Sequence, residues 1–138
     1  MTNKENLIAE AKKAREKAYT PYSKFSVGAA IKTKSGKVYT GCNIEIAALS
    51  VSCCAERVAI FRAIADGERD FSELAVTGDT SKPISPCGSC RQVMSEFFDT
   101  SANMYLTNLN HDTKTMKINE LLPFSFQPED LVNGENDE

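Results

Sequence analysis

The sequence has no apolar run approaching the roughly 20 residues that a membrane span requires, so a membrane protein is not expected. Residues 1–6 show no apolar signal core before an amphipathic pattern begins, which points to the cytoplasm. Clustered positive charge is missing as well. The formal net charge is -3 and no basic stripe occurs, whereas a long polyanion demands grouped Lys and Arg to neutralise its phosphates. Long nucleic acid is therefore not an expected partner, and a small neutral ligand suits this surface better. Internal repeats and low-complexity linkers are absent. Histidine is nearly so: the one copy, His111, lies in the polar turn at residues 109–112 and is expected at the surface rather than on a metal.

What is present describes one ordinary domain. The chain has 138 residues, 41% of them hydrophobic and 25% charged, which is the balance of a folded globular protein. Residues 1–131 read as that domain, and residues 132–138, rich in acid at Glu135, Asp137 and Glu138, as a flexible tail. The five cysteines, Cys42, Cys53, Cys54, Cys87 and Cys90, are odd in number and lack a secretory context, which argues for reduced thiols serving metal or catalysis.

Periodicity predicts a helix over residues 5–19, where Leu7, Ala11, Ala14 and Ala18 recur at helical steps until Pro21 intervenes. Strands are expected over 27–33 and 37–42 around a turn at Lys34, Ser35 and Gly36. A helix over 55–66 presents Val58, Ile60, Phe61 and Ile64 as its apolar face and stops at Gly67. A short strand at 74–77 precedes a second strong helix over 88–98, carrying Val93, Met94, Phe97 and Phe98. Strands at 104–107 and 115–118 follow, then a short helix capped by Asn119 and ended by Pro123. The order α-β-β-α-β-α-β-β implies an α/β domain, a sheet with helices on its faces.

Two segments carry chemistry: Cys54-Ala55-Glu56-Arg57 and Pro86-Cys87-Gly88-Ser89-Cys90. A Cys-x-x-Cys pair alone also serves redox sites and structural zinc. Here Cys54 and Cys87 both open helices, where free backbone N–H groups and the helix dipole favour the thiolate that binds metal. Three thiolates could thus meet one ion, and three protein ligands leave the fourth tetrahedral position for water. Cys42 and Cys53 are expected to be small buried residues.

Glu56 gives that site its meaning. Two positions along a helix from Cys54, it lies about 200° round and is an awkward co-ligand, yet can stand beside the open position. A carboxylate there can take a proton from water and return it to a substrate, which a structural zinc site has no use for. Zinc at +2 with three thiolates sums to -1, an electron-rich ion whose Lewis acidity needs support. Arg57 is placed to donate hydrogen bonds to the thiolates and withdraw charge.

The pattern resembles the three-cysteine form of the zinc-deaminase signature, in which a ligand-x-Glu segment is followed by Pro-Cys-x-x-Cys. The likeness to the small cytidine deaminases extends to the blocks at residues 21–30 and 41–45, to Cys90-Arg91-Gln92-Val93 and to residues 120–126, covering residues 5–131. The resemblance implies a three-layer αβα fold with a mixed five-stranded sheet. It implies one Zn2+ per subunit on Cys54, Cys87 and Cys90, with Glu56 as proton shuttle. The backbone of Ala55 would meet the base carbonyl, Asn43 and Glu45 the ribose hydroxyls, and Phe25 and Phe126 the base, Phe126 from a neighbouring subunit. On residue type alone, both phenylalanines would belong to a core. A homotetramer with active sites at subunit boundaries, acting on cytidine and deoxycytidine in pyrimidine salvage, is likewise implied.

Two positions depart from the family. Ile46 stands where relatives commonly have an amide, and Leu49 where they have a tyrosine. The expected consequence is a roomier, more apolar pocket edge that tolerates altered nucleosides. Deamination of a modified cytosine nucleoside or of blasticidin S is the rival reading within enzymes. A zinc-stabilised nucleoside-binding protein without chemistry is the rival outside them, and would want a fourth protein ligand.

Overall fold

A computed structural model describes residues 2–131; the expected acidic tail at 132–138 lies outside the described residues. Five strands form one mixed sheet in the order β2-β1-β3-β4-β5, built from β1 (Val27–Thr33), β2 (Val38–Cys42), β3 (Phe71–Gly78), β4 (Phe98–Asn108) and β5 (Thr113–Lys117). Only β3 and β4 run parallel, joined through helix α3 (Gly88–Phe97); the remaining neighbours are antiparallel. Alternation of side chains along each strand divides the core in two. Ala30, Ala75 and Tyr105 face helix α1 (Asn3–Arg15), while Ala29, Ile31, Leu74, Val76, Met104 and Leu106 face helix α2 (Ala55–Ala65) and α3. This is the expected three-layer arrangement with a mixed five-stranded sheet. Among the described residues, no helix is long and apolar enough to cross a membrane.

Helix α1 begins where the Thr2 hydroxyl accepts a hydrogen bond from the Glu5 N–H, and Lys12, Lys13 and Arg15 complement its dipole at the far end. It stops at Arg15, short of the expected Tyr19. Proline is not what ends it. The Tyr19 N–H donates to the Asn43 carbonyl and the Tyr19 carbonyl accepts from Glu45, so long-range backbone pairing claims this residue before Pro21 is reached.

Strands β3 and β4 outrun the short apolar segments expected for them. β3 is paired on both sides over 73–78, and β4 is paired at Phe98 and again over 103–108. Ladder hydrogen bonds thus carry the extended backbone past the apolar run and oppose Phe71 to Phe98 with ring centroids 5.5 Å apart. β5 starts and ends slightly earlier than expected. The helix after it, α4 (Ile118–Leu121), is capped not by Asn119 but at Lys117, whose N–H donates to the Glu120 carboxylate at 3.0 Å.

Helix α2 corrects the expected apolar face. The side that meets the sheet is Ala55, Glu56, Ala59, Ile60 and Ala63, with Val58 and Ile64 only half-buried and Phe61 46% exposed. The reason lies across the interface at Gly41. A Cβ on Gly41 would stand 2.4 Å from the Ala55 carbonyl oxygen and 2.5 Å from the Ala59 nitrogen. Helix and strand meet backbone to backbone at Ala55 and Ala59, so the positions over Gly41 must be small, and Phe61 turns outward. Gly41→Ala is expected to destabilise the protein by about 3 kcal/mol, since rigid backbone on both sides leaves no room to relax. Urea denaturation checks this; a loss under about 1 kcal/mol would show that α2 is free to shift.

Candidate active site

The N-termini of α2 and α3 converge. Cys54 is the N-cap of the first and Cys87 of the second, and Cys90 sits buried one turn into α3. Their sulfurs lie within 4.8 Å of one another, Cys54 to Cys87 at 3.7 Å and Cys87 to Cys90 at 3.4 Å. A tetrahedral zinc with Zn–S bonds near 2.3 Å separates its sulfurs by about 3.8 Å, so the spacing and the donor chemistry both fit zinc. Unpaired N–H groups in the first turn of each helix add positive potential at the sulfurs. Cys54 is brought down to about 5, chiefly by a hydrogen bond shared with Cys90 and, against burial, by Arg57 and Cys87. The same shared bond, with burial, pushes Cys90 up, so the thiolate forms first at Cys54.

The arrangement reaches beyond the sulfurs. Glu56 is 4% exposed, and burial pushes its carboxyl up to about 7, against hydrogen bonds from its own backbone and from Cys90. A buried carboxyl in this range can both accept and return a proton near neutrality. Arg57 donates through Nη2 to the Cys54 sulfur at 3.4 Å, and that bond holds its guanidinium charged above its usual range. Its Nε–H is buried without an acceptor.

The other cysteines stand apart from the cluster. Both Cys42 and Cys53 are half-buried rather than buried as expected. Cys42 is a β2 residue opposite Gly28, and Cys53 pairs its backbone with Ile44 at 2.9 Å in both directions. Each serves a backbone ladder near the surface, which limits how deeply its thiol is covered. Burial pushes the Cys53 thiol up. His111 is exposed, at a positive φ of 70° in the β4–β5 turn, with Nδ1 2.9 Å from the Lys12 ammonium.

A cavity of about 250 Å3 adjoins the cluster, lined by Asn43, Glu45, Leu49, Cys53, Cys54 and Arg57 among others. Asn43 accepts from the Val27 N–H through Oδ1 and donates to the Phe25 carbonyl through Nδ2, both at 2.8 Å. Glu45 accepts from the N–H groups of Tyr22 and Ser23 and from the Ser23 hydroxyl, and these bonds hold its carboxyl below the ordinary range. Ala55 is fully buried at the start of α2.

The reading of Phe25 and Phe126 as core, taken from residue type alone, is wrong: they are 39% and 59% exposed. Both sit on segments outside the sheet, and neither is among the residues lining the cavity. Leu49 reaches the cavity edge, and Ile46 is exposed nearby in sequence, its N–H bonded to the Ser52 hydroxyl.

Sequence reasoning passed over three residues that hold the site together. Arg91 donates to the Pro86 and Leu121 carbonyls, each at 2.8 Å, and to the Ser85 hydroxyl, clamping the loop before Cys87. Gln92 donates to the Phe126 carbonyl at 2.8 Å. Ser23 joins Glu45 to the Phe25 backbone. An arginine and an amide directly after a buried cysteine were the available signal for the first two.

Comparison with known proteins agrees with this geometry. The model of the family described as the cytidine and deoxycytidylate deaminase zinc-binding region matches residues 1–106. The chain is 56% identical over 127 residues to a cytidine deaminase of Sporosarcina psychrophila, covering 92% of this chain and 93% of that one. It is 47% identical over 129 residues to a cytidine deaminase of Halalkalibacterium halodurans, covering 94% and 98%. Among solved structures, cytidine deaminase from Burkholderia pseudomallei superposes with a TM-score of 0.88 at 49% identity, covering 91% of this chain and all of that one. The enzyme from Mycobacterium tuberculosis gives 0.77 at 30% identity, over 91% and 98%. With the sulfur cluster, the buried glutamate and the mixed sheet in common accord with these matches, the chain belongs to the cytidine and deoxycytidylate deaminase family.

Proposed function

We propose that this protein is a zinc-dependent enzyme that hydrolyses cytidine and deoxycytidine to uridine and deoxyuridine with release of ammonia. The observation that carries the reading is a buried carboxyl, Glu56, set beside three sulfurs at two converging helix N-termini. Zinc on Cys54, Cys87 and Cys90 supplies Lewis acidity that lowers the pKa of water toward about 7. The chain's own part is proton movement and orientation. Glu56 takes a proton from the attacking water and delivers it to N3 of the base as the water oxygen bonds to C4. It then takes the second proton of that water and passes it to the exocyclic amine, which departs as ammonia. Arg57, bonded to Cys54, offsets the net negative charge of three thiolates around a divalent ion.

In this reading the Ala55 backbone meets the base carbonyl, Asn43 and Glu45 meet the sugar hydroxyls, and Phe25 packs the base. Phe126 comes from a second copy. Leu49, Val51, Phe124 and Phe126 are each more than half exposed, an apolar set that supports a homotetramer with sites at its subunit boundaries. The apolar cavity edge at Leu49, with Ile46 close by, favours tolerance of altered cytosine nucleosides. A cytoplasmic place in pyrimidine salvage accords with a small nucleoside substrate.

Three measurements test these assignments. Glu56→Gln is expected to keep one zinc per chain while the loss of cytidine absorbance slows by at least about 10³-fold, as removal of a general acid–base demands. Turnover within tenfold of the parent would reject Glu56 as the shuttle. Arg57→Ala should weaken zinc binding by about 10- to 100-fold in competition with a chromophoric chelator, the usual effect of losing a ligand's hydrogen-bond partner. Unchanged affinity would make Arg57 a bystander. Sedimentation equilibrium should give four times the mass of the chain; a fully active monomer would refute the shared site.

A further inference from the structure

The two side chains assigned to the sugar are already half engaged by one segment of the chain itself. Glu45 Oε1 accepts from the Tyr22 N–H at 3.1 Å and the Ser23 N–H at 3.0 Å, and Oε2 accepts from the Ser23 hydroxyl. A carboxylate offers about four acceptor positions, so one is left, on the oxygen that Ser23 holds. Asn43 spends one acceptor position on Val27 and one donor on Phe25, leaving one of each. Both side chains line the cavity beside Cys54 and Arg57.

Ser23 links the two ends of this arrangement. Its hydroxyl donates to Glu45 and accepts from the Phe25 N–H at 3.0 Å, so carboxylate and aromatic segment share one atom. Between them Lys24 is held at φ 62°, a conformation that a side-chain-bearing residue keeps only when its neighbours enforce it. Without the Ser23 hydroxyl, Oε2 of Glu45 loses its only partner among the described residues, the turn loses its internal bond, and the free acceptor position is no longer directed.

Resting on the deaminase reading above, we infer that Ser23 is a positioning residue for sugar recognition, orienting the open acceptor of Glu45 and, through the Phe25 backbone to which it bonds, the Asn43 amide. Its effect must therefore depend on the sugar hydroxyls. The Ser23→Ala holoenzyme is compared with the parent on cytidine and on 2′,3′-dideoxycytidine, which lacks the hydroxyls that Glu45 would meet. For cytidine, KM is expected to rise about tenfold with kcat within about twofold, the scale of one hydrogen bond to a charged group. For the dideoxynucleoside, KM should stay within about twofold of the parent value. Ser23→Thr, which keeps a hydroxyl, should restore the difference between the two substrates. An equal rise in KM for both nucleosides, or no rise for either, would overturn the inference, the first by showing a general disturbance of the loop. A parent enzyme inert on both would sink the deaminase reading and this one with it.

Discussion

Four groups that all carry negative charge when ionised, Cys54, Cys87, Cys90 and Glu56, are gathered at two helix starts, with Cys90 and Glu56 buried, Cys54 half-buried and Cys87 open to solvent. Two unit charges at about 4 Å repel by about 4 kcal/mol at an effective dielectric near 20, so the cluster cannot stand fully ionised unaided. Three sources of positive potential answer it: the N-termini of α2 and α3, the Arg57 guanidinium, and a divalent ion. The titration behaviour reflects this tension. Cys54 yields its proton readily while Cys90 holds on to one and Glu56 is lifted by burial. A carboxyl lifted in this way suits the proton-carrying role proposed for it.

The rest of the fold keeps the two helix starts in place. Helix α2 is seated on the sheet through Gly41 and a row of alanines, a contact between backbones that fixes where Cys54 stands. Helix α3 is the crossover between the two parallel strands, and Arg91 ties the loop ahead of it, at Ser85 and Pro86, to Leu121 of α4. A similar contact at Gly28, where a Cβ would stand 2.0 Å from the Ala11 carbonyl oxygen, seats α1 on the opposite face. The site thus inherits its precision from regular elements rather than from loops. The sugar end differs, since it rests on the 22–27 segment held by side-chain bonds.

Much of this was legible in the residues. The three clustered cysteines, the glutamate and the arginine could be singled out as candidates from spacing, because helix starts announce themselves locally and a helix's period places its neighbours. The strand sequence was legible for the same reason, down to the turn at Gly36. Less was legible where distant chain takes part. Tyr19 leaves the helix because Asn43 and Glu45 bond to its backbone, and β3 and β4 lengthen because their partners extend them. Phe61 faces outward while the close backbone contact at Gly41 falls on Ala55 and Ala59. Phe25 and Phe126 are exposed although their type suits a core.

What the sequence by itself determined is therefore the candidates for the chemistry, Cys54, Cys87, Cys90, Glu56 and Arg57, since these depend on spacing within each helix start. Only the tertiary structure decided that the sulfurs of Cys54, Cys87 and Cys90 come within 4.8 Å of one another, how deep Glu56 lies, and that Ser23 joins Glu45 to Phe25. Those depend on distances between segments 20 or more residues apart, which the packing of helices on the sheet sets and no local pattern encodes.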